Sequence, residues 1–233
     1  MVTETVQGSQ DKSPLTSRVS PWLVRIAYPL IRGLVFPFFF KEIVVEGKEN
    51  VPKEGAVIVA PTHRSRWDAL IVPYATGRLV SGRDPHFMVS ANEMKGIQGW
   101  FIRRLGGFPV NTERPELSSL THTYELLTRG EMVVIFPEGG IFRTSEVQPL
   151  KRGLGKVAAE VAMNYPEVDL KILPVAIRYS EAIPRRGCRV WVRVGRGLRV
   201  SYYLADTPRQ TSIRLTAALK EALDREVSLL PQL

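Results

Sequence analysis

Short apolar runs, several of them β-branched, recur at residues 43–45, 56–60, 86–89, 107–110, 132–136, 172–177 and 190–194. Each is the length of a buried strand. Between them, apolar residues return at spacings of three and four over 68–76, 116–129, 153–165 and 208–230, the period of a helix with one face inward. Strand and helix patterns that alternate in this way predict an α/β fold, a mixed and mostly parallel sheet covered by helices. No repeat, heptad array or low-complexity tract interrupts the pattern.

Residues 21–40 carry a different signal. They hold Trp22, Ile26, Leu30, Leu34 and the run Phe38-Phe39-Phe40 among many apolar positions, with Arg25 and Arg32 seven residues apart and therefore on one helical face. This reads as an amphipathic, membrane-associating segment lying in a bilayer interface, because consecutive phenylalanines are costly on a wet surface. The alternative is a helix packed on the domain and ended by Pro37. Arg25, Pro29, Arg32, Pro37 and Lys41 break the stretch, so a spanning helix is not expected. Residues 1–20 contain Glu4 and Asp11 and lack an apolar centre, matching neither a signal nor a transit peptide; they read as a disordered lead. One domain follows over 41–233.

A chain of 233 residues with 44% apolar content can bury one good core. The net charge of +9 favours an anionic partner, whether nucleic acid, membrane surface or acidic protein. The arginines are spread along the chain without a nucleic-acid-binding motif, so nucleic acid is not expected. The single cysteine, Cys188, leaves no internal disulfide and fits a reducing compartment. Gly195-Arg196-Gly197 lacks the third glycine of a dinucleotide loop, and no G-x-S-x-G or C-x-x-C is present. Nucleotide, serine-hydrolase and zinc readings fall away.

The chemistry concentrates in Pro61-Thr62-His63-Arg64-Ser65-Arg66-Trp67-Asp68. A buried strand ends at Pro61 and Thr62, and a helix opens at Asp68, so His63 lies in a strand-to-helix turn where catalytic groups are commonly displayed. Asp68, held by the helix dipole, can orient one ring nitrogen of His63 and leave the other to accept a proton. That is a general base without a protein nucleophile. It suits a reaction whose substrate brings the attacking hydroxyl, and transfer from an acyl thioester is the natural case. The plainer reading makes Asp68 a helix cap and His63 a turn histidine. Downstream, Phe136-Pro137-Glu138-Gly139-Gly140 ends a strand in a tight loop whose amides can bind an oxyanion or phosphate, unless it is a surface turn with a solvated Glu138. His86 and His122 have no partner at useful spacing and read as structural.

Together, His63-x-x-x-x-Asp68, Gly106-Gly107-Phe108-Pro109-Val110, Phe136-Pro137-Glu138-Gly139 and Leu173-Pro174-Val175-Ala176 resemble the four ordered blocks of the glycerolipid acyltransferases, the 1-acylglycerol-3-phosphate acyltransferase family. The resemblance runs from about residue 44 to about residue 204. It implies His63 and Asp68 as catalytic residues, Glu138 and Gly139 in the acceptor-binding part, and the fourth block as a core strand and pocket wall. The chain departs from the family at the basic positions. Gly140 and Ile141 replace the threonine and arginine after the third block, where the next arginine is Arg143; Asn111 and Thr112 follow the second, with Arg114 two places late; Asn92 replaces a lysine. Arg103, Arg104, Arg114, Arg143, Lys151 and Arg152 are the candidates to bind an acceptor phosphate instead. The implied reaction converts 1-acylglycerol-3-phosphate to phosphatidate, with acyl carrier protein or coenzyme A thioester as donor and no cofactor or metal. Another lysolipid acceptor, a neutral alcohol such as diacylglycerol, or a non-catalytic lipid-binding role are the alternatives. The expected location is peripheral, at the cytoplasmic face of a membrane.

Overall fold

A computed structural model describes residues 17, 19–110 and 117–232. The N-terminal helical run comprises α1 (Pro21–Leu30), a wide π-turn (Ile31–Val35) and α2 (Phe36–Phe39), and feeds directly into β1 (Phe40–Glu46). Then come β2 (Val57–Pro61), α3 (Asp68–Thr76), α4 (Arg78–Ser81), β3 (His86–Ser90), α5 (Gly96–Arg104), β4 (Gly107–Val110), α6 (Leu117–Thr128) and β5 (Met132–Val134). The chain closes with α7 (Gly153–Asn164), β6 (Lys171–Tyr179), β7 (Cys188–Val194), β8 (Leu198–Arg199) and α8 (Pro208–Ser228).

The strands form one sheet in the order β1-β7-β6-β2-β5-β3-β4, with β8 pairing β6. All pairs are parallel except β6 with β7 and β6 with β8. The mixed, mostly parallel sheet expected from the pattern is therefore present. Every residue of β2 is buried, as a central strand covered on both faces must be. Successive side chains alternate, so Ile58 and Ala60 join the core under α7 and α8, while Val57 and Val59 join the core under α2 and α3. On α8, Leu215, Leu219, Leu223 and Val227 recur every four residues and bury that helix against the first face.

All seven expected strands and four expected helices occur, with ends displaced by a few residues. The sequence pattern did not disclose α4, α5 or the two-residue β8. The N-terminal segment corrects a second expectation. Its prolines do not break it: Pro21 sits in the first turn, where no amide is needed, and the π-turn follows Pro29 and absorbs the lost hydrogen bond. Pro37 lies in the first turn of α2, two residues before the run ends. Pro21–Phe39 is thus one helical run of 19 residues, long and apolar enough to cross a membrane. Of the three phenylalanines, only Phe38 is exposed; Phe39 and Phe40 pack on Trp67 at 4.2 and 5.0 Å between ring centres. The expected lead over 1–20 falls almost wholly outside the described residues.

Candidate active site

The chain leaves the sheet at Thr62, whose N–H donates to the Val175 carbonyl at 2.9 Å and whose hydroxyl accepts the Ile177 N–H at 2.9 Å. Both partners lie on β6, so the exit from β2 is anchored before the turn begins. The turn then wraps around Asp68, which is fully buried. Its Oδ2 accepts the backbone N–H groups of Arg64 at 2.6 Å and Ser65 at 2.8 Å, and lies 2.9 Å from His63 Nδ1. Its Oδ1 accepts the Tyr179 hydroxyl at 2.7 Å. Burial, reinforced by the Asp68 charge, pushes the Tyr179 hydroxyl far above its ordinary pKa, so it stays a donor. With Asp68 accepting at Nδ1, the proton of neutral His63 belongs there and Nε2 carries a free lone pair.

The ring is held in place as well as in protonation state. His63 stacks on Phe136 with 3.9 Å between centroids and 24° between planes. Its N–H donates to Glu138 Oε2 at 2.7 Å, and its carbonyl accepts the Phe142 N–H at 2.8 Å. Both backbone groups of His63 are therefore gripped by the loop that carries the third block.

Glu138 corrects its expected role. Only 2% exposed, its carboxylate points inward, accepting Arg64 Nη1 at 2.8 and 3.0 Å, the Gln148 N–H at 2.9 Å and the His63 N–H. With four hydrogen-bond contacts from three donors already made, it has no capacity left for an acceptor. Its work is to fix the His63 turn to the loop. Arg64 is buried beside it and also donates through Nη2 to the Glu146 carbonyl at 2.9 Å. A buried ion pair is tolerated only when hydrogen bonds surround it in this way.

His63 opens into an apolar cavity of about 710 Å³, walled by α1, α3, β3 and α5. Gly139, Gly140 and Ile141 line the same cavity. Among the described residues, nothing accepts a hydrogen bond from the Gly140 or Ile141 N–H. Gly139 has φ 72°, and the Lys151 side chain lies across it so closely that a Cβ there would come within 2.5 Å of Lys151 Cδ and Cε. The glycine is required for that backbone conformation, and it leaves room for the lysine.

The other expected basic residues are not drawn to the site. Arg103 is on the exposed side of α5, and the Arg104 guanidinium stacks on Trp100 at 4.0 Å; neither lines the cavity. Arg143 and Arg152 are exposed and also lie off it. Arg114 lies outside the described residues. The cation that does line the cavity is Arg66, paired with Glu93. Strand β6 supplies core, as expected, but residues 173–176 do not wall this cavity. His86 and His122, read as lacking partners, both contact the Ser17 hydroxyl at 2.8 Å. Burial pulls both imidazoles down, His86 to about 4. Among the described residues, no group of three metal-binding side chains is present.

Arg64, Arg66 and Tyr179 went unread in the sequence. The first two stand inside the motif, where a charged residue between His63 and Asp68 was a usable signal. Tyr179 had none, because it joins Asp68 only through the β2–β6 pairing.

The structure overlays the crystal structure of a 1-acyl-sn-glycerophosphate acyltransferase from Thermotoga maritima with a TM-score of 0.65, covering 88% of this chain and 78% of that one at 22% identity. The two share a fold. A 1-acyl-sn-glycerol-3-phosphate acyltransferase from Bacillus subtilis (strain 168) is 36% identical over 123 residues, 50% of this chain and 56% of that protein. A protein of the same name from Streptococcus pneumoniae is 27% identical over 124 residues, 49% of this chain and 44% of that one. The chain thus spans about half the length of these curated relatives. The family model described as Acyltransferase matches residues 42–178, more than half of the sequence and inclusive of both the His63 turn and the Glu138 loop. On that match the chain belongs to the acyltransferase family.

Proposed function

We propose that the protein moves a fatty acyl group from an acyl thioester to a glycerolipid hydroxyl, with 1-acylglycerol-3-phosphate as acceptor and phosphatidate as product. The observation that carries this reading is an imidazole oriented through Nδ1 by Asp68, at the wall of an apolar cavity large enough for an acyl chain. His63 Nε2 takes the acceptor's hydroxyl proton as that oxygen attacks the thioester carbonyl carbon. Negative charge gathers on the carbonyl oxygen, where the Gly140 and Ile141 amides are the available donors. Collapse breaks the carbon–sulfur bond, and imidazolium returns the proton to the departing thiolate. No covalent acyl-enzyme is needed, because the thioester is already activated.

Asp68 fixes the tautomer; Glu138, Arg64 and Tyr179 are positioning residues that act through the turn. Arg66, which lines the cavity, and Lys151, whose side chain lies against Gly139 at its edge, are the candidate cations for the acceptor phosphate. The donor is acyl carrier protein or acyl-coenzyme A, both anionic and both suited to a basic chain. The apolar face of α1 and α2 rests on the cytoplasmic surface of a membrane, where acceptor and product reside.

Thiol release is the test, with acyl-carrier-protein and coenzyme A donors each offered lysophosphatidate, other lysophospholipids and diacylglycerol. Lysophosphatidate is expected to be preferred, and Lys151→Met to raise its KM about tenfold while leaving diacylglycerol unaffected. Preference for a neutral alcohol by the wild type overturns the phosphate assignment. Thiol release with none of the acceptors overturns the enzymatic reading.

A further inference from the structure

Helix α5 is amphipathic with its apolar face turned outward. Ile97, Trp100 and Phe101, spaced at three and four, all stand exposed, Ile97 by 79%. What the helix buries is Gly99, packed so tightly that a Cβ would lie 2.2 Å from the Met94 carbonyl oxygen. Ile102 faces the cavity. A soluble helix hides such a face, and a contiguous exposed apolar patch marks an interaction site.

Its surroundings name the partner. Lys95, Arg103 and Arg104 border the patch, and the Arg104 guanidinium lies over the Trp100 ring. Aromatic rings with arginines beside them are the composition of an element seated at a lipid headgroup boundary, where the ring enters the apolar layer and the cation meets lipid phosphate. The patch is also continuous with the N-terminal arm. Ser20 N–H donates to the Arg104 carbonyl at 2.8 Å, and Val19 bridges Leu105. The exposed stripe Trp22, Ile26, Leu30, Leu34 and Phe38 thus starts where α5 ends. Between the two helices lies the cavity, with Val24 and Ile31 on one side and Gln98 and Ile102 on the other.

We propose that α5 is a second lipid-contacting element, which together with α1 and α2 seats the rim of the His63 cavity on an anionic bilayer. Acyl chains then pass between the helices from lipid to cavity without crossing water. This rests on the lipid-surface reading above and deepens it by naming the contact that joins membrane to active site.

The full chain is tested on vesicles of phosphatidylcholine and phosphatidylglycerol with brominated acyl chains. Quenching that is present in Trp22→Phe and reduced in Trp22→Phe/Trp100→Phe places Trp100 in the acyl layer. Ile97→Asp/Phe101→Asp is expected to weaken vesicle binding at least about tenfold and to slow turnover of vesicle-borne acceptor, with turnover of a water-soluble short-chain acceptor retained. Unchanged binding by this variant, with Trp100 unquenched, overturns the α5 proposal and leaves the α1–α2 reading standing. Failure of the wild type to bind vesicles overturns the lipid-surface reading itself. Loss of self-association in sedimentation, or loss of carrier-protein turnover alone, with vesicle binding intact, assigns the patch to a second copy or to the acidic carrier and overturns the proposal.

Discussion

The two sides of the cavity are built on opposite principles. At the His63 side the buried carboxylates are fully occupied: Asp68 serves two backbone amides, an imidazole and a phenol, and Glu138 serves two backbone amides and the Arg64 guanidinium. At the α1–α5 side, large apolar side chains stand exposed among the described residues. The first region is completed by the chain itself; the second, on the proposal above, is completed by a lipid surface. Chemistry needs a geometry fixed before substrate arrives, whereas a lipid contact needs only area and the right composition.

Substitutions at the two regions should therefore separate. The largest effect is expected at His63: His63→Ala should cost about 10²–10⁴-fold in turnover, the usual worth of a general base, with vesicle binding unchanged. A binding loss of similar size would merge the two regions. Next, Glu138→Ala strands the Arg64 charge in a buried site. It should destabilise the fold by about 3–5 kcal/mol in chemical denaturation, and slow turnover through the displaced His63 turn. A stability loss under about 1 kcal/mol would mean that Glu138 is solvated in solution and the grip on His63 is weaker than the geometry implies.

A pH effect probes where the lipid arm is rooted. The segment before α1 is tied down through Ser17 to His86 and His122. Burial first, then the neighbouring His122, lowers His86 from its ordinary 6.5 to about 4. Between those values the unfolded chain binds a proton that the folded chain refuses. Stability is then complete above about pH 6.5 and is lost as pH falls toward about 4, by at most about 3 kcal/mol. Denaturation midpoints across this window should fall in the wild type and flatten in His86→Gln. The smallest change is Tyr179→Phe, which keeps the ring and removes one donor from Asp68. It should lower kcat about fivefold with the acceptor KM unchanged, as loss of about 1 kcal/mol of hydrogen bonding to a buried carboxylate would do. A KM change instead would place Tyr179 at the substrate.

The same division explains what the sequence disclosed. His63 and Asp68 meet within one turn, so their spacing alone suggests the contact. Glu138, Tyr179 and Thr62 reach the turn or anchor it across 75, 111 and 115 residues of chain, and only the sheet order brings them together. Strands were readable because β-branched runs are buried on both faces of a mostly parallel sheet. Helix α5 was not, since Gly96 and Gly99 weaken its propensity and its apolar side chains face out. The N-terminal run was legible as a helical segment from its apolar spacing, but the π-turn that follows Pro29 left no mark in the sequence pattern. Lys151 was named from the sequence, with five arginines, as a candidate to bind an acceptor phosphate. What no spacing disclosed is that the Lys151 side chain lies across Gly139.

The central claim is that His63, oriented by Asp68, is the base in a direct transfer from thioester to hydroxyl. It is tested most directly by following thiol release from an acyl thioester with lysophosphatidate, for wild type, His63→Ala and Asp68→Asn, alongside the ester product by mass spectrometry. The account predicts matched thiol and ester formation in the wild type, lost in His63→Ala and strongly reduced in Asp68→Asn. Equal turnover by wild type and His63→Ala would contradict it.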